Sequence, residues 1–272
     1  MKLRHSIALA ACIVSALAAG TAASQQAGPE AAAELAKKLQ NPIAALISVP
    51  IKLNWDTGIG PADVDRSTLI VQPVIPITLN DNWNVISRTI TPVYIDAQSP
   101  MTGESGTTGN GDILQSLFFS PKAPTASGWI WGVGPVLSLP TASEDLLGSE
   151  KYSAGPTFVV LKQQSGWTYG MLANHLWSVE GDDERSDVNA TFIQPFVSHT
   201  LKSFTTFGVN TESTYDWEGE QWTVPINVYF SQLTRFGRQP VSFTFTYRNY
   251  VEAPAGGPDW GLSFTVTLLY PK

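Results

Sequence analysis

The chain has 272 residues and a net charge of −7, with charged residues at only 14% and Trp, Tyr and Phe at 11%. Ordinary soluble domains carry roughly 25% charged residues. A mean hydropathy of −0.01 excludes a bundle of membrane helices, which needs repeated runs of about 20 apolar residues. The acidic balance excludes a nucleic-acid footprint, and a single Cys excludes a disulfide framework and a Cys-based zinc site.

Residues 1–23 read as a secretory signal: Lys2, Arg4 and His5 form a basic head, Ile7 to Leu17 an apolar core, and small residues follow to Ala23. Leu9-Ala10-Ala11-Cys12 spells a lipoprotein cleavage site, but only about five apolar residues precede that Cys, short of the usual core. Removing the signal takes Lys2, Arg4 and Cys12 with it, leaving a more acidic chain without cysteine. Residues 24–46 form an N-terminal segment on the periplasmic side, with one helix expected over 29–40. Pro29 suits its first turn, Glu30 and Glu34 lie early, Lys37 and Lys38 lie late, and Asn41-Pro42 stops it. It can plug a barrel from below or lie across its rim; we favour plugging.

From residue 47 to the end the pattern has period two. Twelve strands are expected, over 47–56, 67–78, 82–95, 111–120, 128–139, 153–163, 166–177, 188–200, 203–214, 221–233, 240–252 and 260–270. The last is the clearest, with Leu262, Phe264, Val266, Leu268 and Tyr270 on one face and Ser263, Thr265 and Thr267 on the other. Strand four is ambiguous, since neither parity is cleanly polar. Pro73, Pro156, Pro195 and Pro225 fall inside strands and should cost ladder bonds. Most strands match the 9–11 residues that cross a bilayer rather than the 5–6 of a globular sheet.

Connections alternate short and long. Together with the strand ends they adjoin, the long ones (57–66, 96–110, 140–152, 178–187, 215–220, 253–259) hold every acid except Glu30, Glu34, Asp81 and Glu212. The short links hold or adjoin Lys122, Lys162, Lys202, Arg235 and Arg238. A sandwich has no reason to sort its loops in this way; an up-and-down barrel with rims in two compartments does. The nine tryptophans fall at strand ends, as two interfacial belts would: Trp55, Trp177, Trp217, Trp222 and Trp260 toward the long loops, Trp83, Trp129, Trp131 and Trp167 toward the short turns, with Tyr270 beside them.

With the apolar faces outward, the sparse strand charges turn inward, because facing lipid costs several kcal/mol. The expected lumen lining is Lys52, Asn54, Gln72, Asn84, Arg88, Asn174, Asn189, Asn210, Glu212, Asn227, Tyr229 and Arg248. Ile70, Val74, Ile86, Ile130, Val136 and Leu172 share that parity, so the lumen is narrow and partly packed. Catalytic chemistry finds little support. His175 takes the outward parity; His199 takes the lumen parity but sits at the opposite strand end, and Ser198 beside it points to the other face, so no dyad forms. Gly106–Gly111 lacks the Lys-Ser/Thr of a phosphate loop, and Gly181–Glu184 reads as solvated loop charge. No catalytic residue, cofactor or metal site is expected.

The segments ELAKKLQNPIAALISVP (34–50), QSLFFSPKAPTASGWIWGVGPVLSLPTAS (115–143), WTYGMLANHLWSVEGDD (167–183) and NTESTYDWEGEQWTVPIN (210–227) resemble a bacterial family. This is the family of outer-membrane proteins encoded with phenol meta-cleavage (MetA) pathways, described as transporters. The resemblance covers nearly all of the chain after the signal. It implies an outer-membrane barrel that passes aromatic or other apolar compounds. One feature departs from the commonest barrel pattern: the chain ends Tyr270-Pro271-Lys272 rather than on a Phe.

The expectation is therefore an all-β protein, a twelve-stranded antiparallel transmembrane barrel (47–272) in a bacterial outer membrane. Its partners would be outer-membrane lipids, small-molecule solutes and the barrel-assembly machinery, with no nucleic acid. The alternatives are a non-conducting structural or surface-interaction barrel, an outer-membrane enzyme, and a secreted β-sandwich.

Overall fold

The computed structural model describes residues 28–98 and 106–271. The export-signal reading and part of the loop at 96–110 lie outside these residues. Among the described residues no helix is long and apolar enough to cross a membrane.

Twelve antiparallel strands close into one barrel. They are β1 (Ile47–Ile59), β2 (Val64–Val71 and Val74–Thr78), β3 (Trp83–Ala97), β4 (Thr107–Asn110 and Ile113–Pro121), β5 (Trp129–Leu139) and β6 (Lys151–Gln164). The second half is β7 (Trp167–Gly181), β8 (Asn189–Thr200), β9 (Thr205–Thr211 and Ser213–Asp216), β10 (Gln221–Phe236), β11 (Gln239–Glu252) and β12 (Trp260–Tyr270). Each strand pairs with its sequence neighbours, and β12 closes on β1 from Ile47↔Tyr270 to Thr57↔Trp260. Closure leaves no open sheet edge, the condition for a sheet to sit in lipid.

The prolines are absorbed at defined places. Pro73 splits β2, and its neighbours stay bonded: the Gln72 N–H donates to Pro50 O and the Thr89 N–H to Pro73 O. Pro135 and Pro156 face each other across β5 and β6, so two missing donors fall on a single pair. Pro225 sits at a bulge against β11. The two-residue turn Ser165-Gly166 has φ of 52° and 82°, the left-handed pair of a type I′ hairpin.

The loops keep the expected alternation, but strands run further than expected, so that loop 178–187 shrinks to 182–188 and link 234–239 to 237–238. The expected long loop 57–66 shrinks to residues 60–63, because β1 and β2 run on. Asp56, read as a loop-side acid, is instead buried in the wall beside Arg66 and Arg248. Its carboxylate has partners there, so the strand need not end before it.

All nine tryptophans and Tyr270 lie on the outward parity, in clusters at the two ends. Trp55 packs edge-on against Trp260 at 5.7 Å, and Tyr215 lies between Trp217 and Trp222, at the long-loop end. Trp83 meets Trp131 at 5.8 Å, and Trp129 meets Tyr169 at 6.0 Å, at the short-turn end. Between them the outer face carries exposed Leu53, Ile75, Phe119, Val133, Phe158, Val209, Phe230 and Phe264. Aromatic girdles flanking an apolar band are what a bilayer selects.

Helix α1 (Pro29–Leu39) lies across the short-turn end of the barrel. Its Leu35 and Ala36 pack with Ala44, Leu46 and Leu233 at the rim.

 The cluster is completed by Leu269, Leu39 and Phe204, all apolar. The helix therefore caps the end rather than entering the lumen, and the part that enters is the turn after it. Ile43 inserts between the walls and packs with Val74, Ile86, Phe118, Val159, Leu161 and Leu172. Gly132 makes room for it: a Cβ there would lie 3.3 Å from Ile43 Cδ1. The Gln163 side chain donates to Lys37 O at 2.9 Å, fastening the helix to β6.

Candidate functional site: the barrel interior

The registers place eleven of the twelve expected lining residues on the inward parity. Lys52 faces Ile70 and Thr265, Asn54 faces Thr68 and Ser263, and Arg88 faces Val74 and Ser116. Asn84 lies beside Thr78 and Ser120, Asn174 beside Thr157 and Phe192, and Gln72 opens on the cavity under Pro42. Asn210 and Asn227 are hydrogen-bonded at 2.8 Å. Tyr229 lies over Gly208, where a Cβ would come within 2.3 Å of its ring, so a side chain at 208 would evict the tyrosine. Glu212 and Arg248 share a small cavity with Lys52.

Asn189 is the exception. It pairs with Trp177 on the outward parity of β8 and donates to Glu218 at the long-loop rim. The inward side chains of β8 are Phe192, Gln194, Phe196 and Ser198, which follow Asn174, Leu172, Gly170 and Thr168 of β7. The expected parity is inverted because aromatic residues were placed toward lipid; here Phe192 and Phe196 pack on the cluster around Ile43. His199 is corrected with it. It faces outward, 4.6 Å from the Trp167 ring, while Ser198 points inward and is buried. His175 also faces outward, 2.7 Å from Thr191 Oγ1 and against Trp177. Neither histidine meets an inward acid.

The interior is divided. From β2 to β8 its centre is apolar, formed by the cluster around Ile43 with Val136 alongside, and polar side chains such as Asn84, Arg88 and Asn174 border it. From β9 through β12 to β1 it is polar: Ser231 and Ser242 are hydrogen-bonded at 2.8 Å, and Thr244, Thr246, Ser263, Thr265 and Thr267 continue the face. Charges stand where the two halves meet. Lys52 Nζ lies 3.5 Å from Glu212 Oε1. Arg248 Nη1 lies 3.3 Å from Asp56 Oδ1, its Nη2 donates to Tyr250 Oη at 2.8 Å, and the Tyr250 hydroxyl donates to Asp56 Oδ1 at 3.0 Å. Arg66 stands 3.9 Å from the other Asp56 oxygen. Asp56, Arg66 and Tyr250 were missed from the sequence. Their even numbers, continuing the parity of Lys52, Gln72 and Arg248, were the available signal.

Lys52, Arg66, Arg88 and Arg248 thus outnumber Asp56 and Glu212. Arg88 has no ion-pair partner within 4 Å among the described residues. Cavities of about 300 and 150 Å³ follow the polar half, from the N-terminal turn to Arg248, and one of about 230 Å³ lies between the polar half and Val74 and Leu172 of the apolar one. Outside the membrane span, the hydrogen bond from Ser178, followed by the contact with Lys151, holds the Asp187 carboxyl below its ordinary range.

The same architecture occurs in solved proteins. The chain is similar to an outer membrane channel from Pseudomonas putida F1, at 12% identity and a TM-score of 0.65, over 83% of this chain and 96% of that one. The fold is that of an outer-membrane barrel. Outer membrane phospholipase A from Escherichia coli aligns at 10% identity and a TM-score of 0.48, over 81% and 92% of the two chains. The Salmonella typhi phospholipase aligns at 11% and 0.48, over 81% and 90%. No family model and no curated protein sequence matches the chain.

Proposed function

We propose that the protein is a channel of the bacterial outer membrane that passes small solutes by passive diffusion, with aromatic and amphipathic solutes favoured. The observation that carries this reading is the divided interior: cavities bounded by polar side chains beside an apolar cluster. Such a wall offers an amphipathic solute both of its preferred surfaces. The resemblance to meta-cleavage-pathway barrels and the fold shared with an outer membrane channel agree with it. In this reading residues 1–23 direct export, α1 lies on the periplasmic side, and the belts contact outer-membrane lipids after insertion by the barrel-assembly machinery. The reading assigns no catalysis.

Surplus positive charge in the interior should favour anions, because low-dielectric walls focus the field. Planar-bilayer recordings under a KCl gradient should give an anion-selective reversal potential that weakens when Arg88 and Arg248 are both changed to Gln. Cation selectivity refutes the charge argument, and absence of conductance refutes the channel. A second reading, a closed non-conducting barrel, is favoured by Ile43 in the lumen; absence of conductance even after removal of residues 28–45 would establish it.

A further inference from the structure

We propose that the cavity beneath Pro42 binds a small aromatic monocarboxylate, with Arg88 and Lys52 holding the carboxylate and Val74 and Leu172 the ring. This deepens the channel reading by naming a solute class, and it rests on that reading for the claim that the ligand is in transit. Charge makes the first argument. Arg88 projects into the cavity with no ion pair within 4 Å among the described residues, and Glu212, the one carboxylate lining it, is already paired with Lys52, so a surplus buried positive charge remains for an anion to offset. Lys52 is bound only loosely to Glu212, at 3.5 Å, and lines the same cavity, so its flexible ammonium can turn to a ligand.

Size makes the second. The cavity measures about 230 Å³, and an apolar cavity of about 150 Å³ suffices for benzene, so a ring and one carboxylate fit. Its wall is amphipathic in the required sense: apolar Val74, Leu172 and Pro50 alternate with Arg88, Lys52 and Gln72. Glu212 also lines it and repels a second carboxylate, which restricts the ligand to one. The adjoining cavity supplies an independent observation. Arg248 is 9% exposed, and its Nε has no hydrogen-bond partner there, nor does Asn227 Oδ1. Buried polar atoms left open in this way are places for a ligand or its waters.

The test is a fluorine NMR titration of the full chain in detergent with para-fluorobenzoate and para-fluorobenzamide, acetate being read by its competition with the fluorinated acid. The acid should bind at least about tenfold tighter than the uncharged amide, the usual worth of a charge-assisted hydrogen bond, and tighter than acetate. R88Q should lose that preference and R88K restore it. Equal binding of acid and amide, or equal binding of acetate, overturns the proposal, and both comparisons use the unaltered protein. Conductance is read separately. A conducting barrel that does not bind the acid refutes the site and leaves the channel; a binding barrel that never conducts refutes transit and leaves the site.

Discussion

Shortening Ile43 to Ala should release the N-terminal segment without disturbing the barrel. Ile43 is 4% exposed and sits among six buried wall residues, but it belongs to no strand ladder. The substitution removes three carbons, worth about 0.8 kcal/mol each, or about 2.4 kcal/mol. The cavity left behind moves the loss into the range of about 2–5 kcal/mol seen for core Ile-to-Ala changes. That loss falls on docking of the segment, so the ratio of docked to released states should drop at least about fifty-fold, at about 1.4 kcal/mol per factor of ten. Single-channel recordings should show openings correspondingly more frequent, while heat-modifiable migration stays that of the folded barrel. Lys38→Ala is the control: its pair with Glu34, 3.8 Å apart on the exposed helix face, is worth about 0.5 kcal/mol or less. If I43A opens no more often than the unaltered protein in a correctly folded barrel, the docking argument is wrong.

Asp56→Asn should be the most damaging interior change, since it leaves Arg248 without its carboxylate; removing one partner of a buried pair costs about 3–5 kcal/mol, read as a lower urea midpoint, and a midpoint equal to that of D56E refutes it. Asp187 titrates with the opposite sign to a base. Its depressed pKa means that its contribution to holding loop 182–188 is present above the ordinary carboxylate range and is lost as pH falls through the folded value. Hydrogen exchange of that loop should therefore rise on acidification in the unaltered protein and be pH-independent in D187N after correction for intrinsic rates; identical behaviour of the two refutes the assignment. Epitope tags at Asp183 and Gly237 should differ on intact cells, the first labelled and the second protected, and equal labelling refutes the two-rim topology.

Local alternation was enough to read twelve strands, the sorted loops and the outward tryptophans, because period two and interfacial preference act on each strand separately. It was also enough for Lys52, Arg88, Glu212 and Arg248, since a charge in an otherwise apolar strand has one tolerable face. β8 shows the limit. With Phe on one parity and Asn and His on the other, its facing depends on what the phenyl rings meet, and they meet Ile43 and the wall of β7. Asp56 was misplaced for a related reason: an acid near a strand end belongs to a loop unless Arg66, Arg248 and Tyr250, brought from β2 and β11, surround it. The docking of Ile43 likewise depends on six residues from five strands converging around one side chain. Strand and parity follow from neighbours along the chain; the plug, the Asp56 network and the division of the interior arise only when the barrel closes and sets distant strands face to face.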